Sequence, residues 1–261
     1  MDPEERPLVT LRIRTNMKNI VLLTSAVYTN YGIYNPVERI QQTLDTAKSA
    51  KEYIPGAVIV LVDNSKVDVQ NDTSPEFEEL IDLVDYYVDN SDDADIQYFH
   101  NNVVNYDIGK NAMEALGLMK ALTYINSDAD MMKEISDADR IFKLSGRYQV
   151  TDKFDITKFD NASTKDKYVF KRAQPSWINP ADTGVNTLLQ TRLWSFTPSL
   201  LADTVDMYNK IIETMIGLFN QNKYIDNEHA MAKFIPKDKL VELETVGLQG
   251  NIAPNGMMII D

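Results

Sequence analysis

Hydrophobic and polar residues fall in blocks along the first half of the chain, and each block has a recognisable period. Residues 19–27 (NIVLLTSAV) and 57–65 (AVIVLVDNS) are apolar runs of strand length, the pattern of strands covered on both faces. Between them a Tyr/Asn/Gly-rich loop (Tyr28 to Asn35) leads to Pro36, which opens a helix through about Tyr53. Ile40, Leu44 and Ala47 line one face of that helix, and Pro55-Gly56 stops it. Strand, helix, strand in this order predicts a βαβ unit with parallel strands. Thr73-Ser74-Pro75 starts a second helix to about Leu83, and Val84 to Val88 is either a short strand or that helix's end. Ile96 to Phe99 is expected to be a strand. A helix over about Asn111 to Ile125 buries Ala112, Ala115, Leu116, Met119 and Leu122. An Asp-rich linker (127–139) then precedes a strand over 140–146.

Beyond residue 148 the alternation loosens. Residues 168–172 and 187–196 predict strands of a more antiparallel region, followed by helices at about 198–219 and 224–235. A Gly/Asn/Pro-rich tail (247–256) suits a lid or a flexible terminus. Residues 1–16 are polar and aperiodic, and are expected to be an extension or an appended leader, with Met17 as the natural start. The rest, 17–261, is expected to be one α/β domain: a nucleotide-binding half (17–148) and an acceptor half with the tail (149–261).

Composition narrows the chemistry. The chain has 261 residues, enough for one large domain, and 13 Tyr, 9 Phe and 2 Trp among 44% hydrophobic residues belong to a packed globule. A formal charge of −13 argues against a surface that binds polyanions generally, while leaving room for a local basic pocket. The chain has no cysteine, which excludes disulfides, thiolate metal sites and cysteine nucleophiles and fits a cytoplasmic location. With only His100 and His229, a multi-histidine metal centre is excluded, so any metal would rest on carboxylates, as Mg²⁺ or Mn²⁺. No apolar run reaches the roughly 20 residues that cross a bilayer, so no stable membrane insertion is expected.

The most informative stretch is Arg140-Ile-Phe-Lys-Leu-Ser-Gly-Arg-Tyr148. Strand alternation puts Lys143, Ser145 and Arg147 on one face, and two cations with a hydroxyl beside Gly146 suit a phosphate or pyrophosphate. A half-exposed edge strand with solvated cations is the plainer alternative. Two further features fall at predicted strand ends, where open parallel sheets bind ligands: Thr24-Ser25, and Asp63-Asn64-Ser65. Asp63 suits a base or ribose contact, and it equally suits a turn that ends the strand.

These motifs, in this order, resemble a GT-A glycosyltransferase. VIVLVDNS is similar to the second-strand signature of family-two enzymes, whose terminal acid contacts the nucleoside. Asn105-Tyr-Asp-Ile-Gly109-Lys110-Asn-Ala-Met-Glu114 resembles the Asn-x-Gly loop before a helix, which adds Asn105 and Lys110 to the expected donor set. Where that family carries an Asp-x-Asp metal motif, this chain has Lys143-Leu-Ser-Gly146-Arg147-Tyr148, similar to a viral, phage and bacterial subgroup of GT-A-like transferases. For a viral source the expected location is the host cytoplasm. The resemblance spans roughly residues 18–250. It implies a GT-A-like, mostly parallel central sheet flanked by helices, and transfer of a hexose or pentose from a nucleotide-diphosphate donor to a hydroxyl. The acceptor would be a glycan or a hydroxymethylated base in phage DNA.

The resemblance further implies that Thr24, Ser25, Asp63, Lys143, Ser145, Gly146, Arg147 and Tyr148 hold the donor, with Arg172 or Arg192 assisting. Without the Asp-x-Asp motif, no metal is assigned. Asp137 and Asp139 are the alternative ligands for Mn²⁺ or Mg²⁺, and Asp128 with Asp130 spell the same pattern. A late-helix carboxylate is expected to deprotonate the acceptor, with Glu228 preferred over its N-capping neighbour Asp226, and the reaction is expected to invert. Trp177 and Trp194 are expected to stack on the acceptor. A homodimer is left open. Two rivals remain: a non-catalytic assembly protein on a degenerate transferase fold, and a sugar nucleotidyltransferase, which the absence of a Gly-rich loop after the first strand disfavours.

Overall fold

The computed structural model describes residues 17–67, 74–252 and 256–261. The leader, Thr73 and part of the tail (253–255) lie outside the described residues. The first half runs β1 (Asn19–Ser25), α1 (Pro36–Tyr53), β2 (Ala57–Asp63), α2 (Pro75–Leu83), β3 (Tyr86–Asp89), α3 (Ala94–Asn102), α4 (Tyr106–Ser127), α5 (Ala129–Ser136) and β4 (Arg140–Ser145). The second half runs β5 (Tyr148–Val150), α6 (Ile156–Phe159), β6 (Tyr168–Lys171), β7 (Gln174–Pro175), α7 (Pro180–Thr183), β8 (Thr187–Leu188) and β9 (Leu193–Phe196). It closes with α8 (Leu201–Phe219), α9 (Asn227–Phe234), β10 (Leu240–Leu243), β11 (Leu248–Asn251) and β12 (Met258–Ile260).

A seven-stranded sheet in the order β10-β6-β9-β4-β1-β2-β3 forms the centre. β4, β1, β2 and β3 are mutually parallel, and β9 runs against both β4 and β6. The period of two in β1 explains how one apolar run serves two cores. Ile20 and Leu22 pack on one face with α4, α8 and α9 residues, while Val21 and Leu23 pack on the other with α1. α1 starts as its sequence predicts, with Pro36 in its first turn and a capping box in which Asn35 and Glu38 each bind the other's backbone N–H.

Several elements differ from the sequence reading. Residues 96–99 are not a strand but part of α3. Asp93 accepts from the Asp95 and Ile96 amides and so starts a helix, which buries Ile96 and His100 one turn apart. The Asp-rich linker folds as α5 for the same reason: Asp128 caps it and Met131 and Ile135 bury one face. The tail is not a free terminus where described. β11 pairs with β5 and with β12 in a small antiparallel sheet. No helix among the described residues is long and apolar enough to cross a membrane.

Candidate donor cleft and catalytic residues

Register places the site. Ser25 lies beside Asp63 and Thr24 beside Ser145, so β1, β2 and β4 end together at one edge of the sheet. A cleft of about 690 Å³, counting its open mouth, sits at that edge. Thr24, Ser25, Ser145, Gly146 and Arg147 line it from the strand ends, and Lys110, Met113 and Glu114 line it from one face of α4. Gly146 sits in a tight place: a Cβ there would lie 3.0 Å from the Thr24 carbonyl oxygen, which already accepts from the Gly146 N–H at 2.8 Å.

The two cations of the β4 motif part company. β4 ends at Ser145, so Arg147 belongs to the following turn, half-buried on the cleft wall. Lys143 is 1% exposed and donates to Glu114 Oε1 (2.5 Å), Ser145 Oγ (2.6 Å) and the Thr191 carbonyl (3.0 Å). All three ammonium protons are engaged, so Lys143 holds Glu114 in place and offers no free donor to a phosphate. Arg147 and Lys110 differ: neither side chain makes a hydrogen bond or ion pair to protein among the described residues. A third lining cation, Arg39, donates to the Ala26, Tyr31 and Tyr34 carbonyls and so shapes the loop after β1.

Glu114 carried no chemical signal of its own in the sequence. It is the only carboxylate on the cleft wall among the described lining residues. Burial pushes its carboxyl upward, but Lys143, Lys110 and Arg147 outweigh that and hold it below the usual range. The one available signal was its spacing, i+4 from Lys110 on a helix that faces the strand ends.

Glu228 and Asp226 lie at the start of α9. Glu228 accepts from Thr191 Oγ1 at 2.9 Å, which links it through Thr191 to Lys143 and Glu114. Burial and then the Asp226 charge push its carboxyl above the usual range, with Lys110 partly offsetting them. Glu228 is not on the cleft wall, yet it lies within electrostatic reach of Lys110 and Glu114, which are. Asp226 caps α9 and binds the His229 amide and ring.

The structure does not bring all the expected residues to the cleft. Asp63 is buried and braces two loops, accepting from the Val27 and Ser65 amides, and its burial pushes its carboxyl upward. Asn105 caps α4 on the exposed side. Tyr148 is buried in β5, where its hydroxyl accepts from Arg192 Nε at 3.2 Å and its ring lies under that guanidinium. Arg172 pairs with Glu244 in solvent.

The Trp194 expectation is corrected. It is 0% exposed, its ring stacked between Phe170 and Phe196, so it belongs to the core and no acceptor reaches it. Trp177 is 67% exposed. Asp137 and Asp139 are corrected as well. They precede β4, and Asp139 accepts from the Lys18 amide just before β1. That is the opposite end of the sheet from the cleft, about 20 Å away for a six-residue strand. Among the described residues, the cleft lining offers cations and one carboxylate already paired to Lys143, a donor set that does not match the divalent ion of the GT-A resemblance.

No protein-family model matches the chain, and no curated protein matches it. Among solved structures, the galactosyltransferase LgtC in complex with donor and acceptor sugar analogs superposes with a TM-score of 0.51 at 10% identity, covering 86% of this chain and 72% of that one. An active-site mutant of LgtC gives 0.50 at 10% identity with the same coverages. At such identity the likeness is one of fold. The chain has the α/β architecture of GT-A glycosyltransferases, a mostly parallel central sheet flanked by helices.

Proposed function

We propose that this protein is a glycosyltransferase that moves a hexose or pentose from a nucleotide-diphosphate donor to a hydroxyl acceptor. The observation that carries this reading is the pair Lys110 and Arg147: two cations without a bonded protein partner among the described residues, lining one cleft at the ends of parallel strands. Such a cleft is where this class of sheet binds ligands, and fixed cations suit a diphosphate. Thr24, Ser25, Ser145 and the backbone at Gly146 complete the donor site. Lys143 acts indirectly, by fixing Glu114.

The acceptor hydroxyl oxygen attacks the anomeric carbon of the donor as the bond to the β-phosphate oxygen breaks. Its proton passes to Glu228, whose raised carboxyl is a better base than an ordinary one. The departing nucleoside diphosphate takes the electron pair, and Arg147 with Lys110 neutralise its charge. Direct displacement with one base inverts the anomeric centre. Proton NMR of the product tests this, and retention of configuration would overturn the single-displacement route.

Thermal-shift titration with nucleoside diphosphates and nucleotide-sugars, with and without Mn²⁺, tests the donor site. Saturation at 100 times the dissociation constant adds about 2.7 kcal/mol to stability. A shift with one nucleotide, lost in Arg147→Ala and indifferent to Mn²⁺, is the expected result. No shift with any nucleotide would favour the non-catalytic assembly protein.

A further inference from the structure

The second half of the chain contains a relay, buried at Asp226 and His229 and half-buried at Ser176, that the donor cleft does not use. Asp226 Oδ1 lies 2.6 Å from His229 Nδ1, and His229 Nε2 lies 2.8 Å from Ser176 Oγ. His229 is fully buried. Aspartate, histidine and serine in this order have the outline of a nucleophilic triad. The serine is engaged differently, however. Its Oγ accepts from the Ile178 N–H at 3.1 Å and donates to the Ile178 carbonyl at 2.6 Å. The Ile178 carbonyl competes with His229 Nε2 for the one hydroxyl proton, and the loop's own backbone fixes the hydroxyl from both its N–H and its C=O. The relay is a clamp on a loop.

What the loop presents is Trp177. Its indole stands 67% exposed, edge-on to His229 at 5.4 Å and beside the Tyr224 ring at 6.4 Å. Tyr224 is held in turn, its hydroxyl accepting from Asn111 Nδ2 at 2.8 Å. Asn111 also binds Asn227, the residue before Glu228. The aromatic surface, the candidate base and α4 are thus one hydrogen-bonded unit. The segment 174–186 (QPSWINPADTGVN) contains a single charged residue, Asp182, and no cation. Two lysines reach the segment from outside it and both are engaged, Lys233 with the Thr183 carbonyl at 2.9 Å and Lys223 with Asp182 at 3.7 Å. An apolar face whose neighbouring cations are already held suits a neutral sugar ring, whereas a nucleic-acid backbone needs free Lys or Arg.

We propose that Trp177 is the stacking platform for a neutral saccharide acceptor, preset by the Asp226–His229–Ser176 relay acting as a positioning device. The proposal rests on the transferase reading above and narrows its acceptor.

Trp194 is buried, so iodide quenching of tryptophan fluorescence reports Trp177 in the full chain. The probes are lactose, maltotriose, chitobiose and a single-stranded 12-mer DNA, each titrated into wild type, Ser176→Ala, Ser176→Thr and His229→Gln, with circular dichroism confirming the fold. At least one saccharide is expected to protect Trp177 from iodide in wild type. Ser176→Ala is expected to weaken that protection at least tenfold, Ser176→Thr to restore most of it, and neither to change the nucleoside-diphosphate thermal shift. Absence of saccharide protection while nucleotide still binds would overturn the platform and leave the transferase reading standing. Absence of both would overturn the transferase reading itself. Protection by DNA would overturn the neutral-acceptor assignment, and a Ser176→Ala variant that behaves as wild type would overturn the relay. Labelling of Ser176 by a fluorophosphonate would replace the clamp with a nucleophile.

Discussion

Lys143 and Glu114 show why a cation's position in a motif does not settle its role. A buried ammonium must find acceptors, and Lys143 finds three within its own fold. Removing one partner of such a pair leaves the other uncompensated, at roughly 3–5 kcal/mol. Glu114 keeps some exposure, so Glu114→Gln is expected to cost about 3 kcal/mol in urea unfolding at pH 7, and a loss below about 1 kcal/mol would contradict the pairing. Because its folded carboxyl is depressed, this stabilisation is present above the unfolded carboxylate range and is lost as pH falls through the folded value. Glu228 has the opposite sign. Its raised carboxyl means stability declines as pH rises from the ordinary carboxylate range through the folded value. Glu228→Gln is therefore expected to lower turnover 10²–10⁴-fold while leaving stability at pH 7 equal or higher. A variant that loses both would mark Glu228 as structural. The strand motif made Arg147 and Lys143 visible in the sequence. That one would face the cleft and the other be enclosed depended on Thr191 and Glu114, which arrive from distant segments.

At the scale of an element, α4 carries the part of the site that periodicity alone did not expose. Gly109 and Gly117 stand eight residues apart, on the same helical face. A Cβ at Gly109 would lie 2.3 Å from the Tyr31 hydroxyl, and one at Gly117 would lie 1.9 Å from Asn64 Oδ1. Tyr31 and Asn64 both line the cleft from the loops after β1 and β2. Ala is intrinsically better than Gly inside a helix by about 1 kcal/mol. Gly117→Ala is nevertheless expected to destabilise by roughly 1–3 kcal/mol, through overpacking against Asn64, and to weaken nucleotide binding. Gly217 on α8 has nothing within 4 Å of such a Cβ, so Gly217→Ala is expected to stabilise by up to about 1 kcal/mol. Equal responses of the two variants in thermal melts would defeat the argument. The strands and α1 were legible because burial on both faces and a Pro-led capping box are local signals. α3 and α5 were missed because their starts rest on single Asp caps, which in an acidic chain look like linker.

Across the whole molecule, Arg140 ties the two halves. It sits in β4, is 0% exposed, and donates to Ser195 Oγ and to the carbonyls of Thr164, Lys167 and Ser195, all in the second half. Every one of these acceptors is uncharged, and burial brings the guanidinium down to about 10. β4 also pairs with β9, so one sheet runs from the first half of the chain into the second. Shared pairing and a shared buried fork leave neither half a complete core, and unfolding is expected to be a single transition. Far-ultraviolet dichroism, which reports both halves, and the fluorescence of Trp177 and Trp194, which both lie in the second, are expected to change together. Arg140→Lys keeps the charge but replaces a planar fork with a point donor, so carbonyls are left unpaired. It is expected to cost about 2 kcal/mol or more by urea unfolding and to preserve the single transition. Two separated transitions in the wild type would show instead that the halves fold independently. In that case the alignment of Glu228 with the donor cleft would depend on the interface between the halves and not on the continuous sheet.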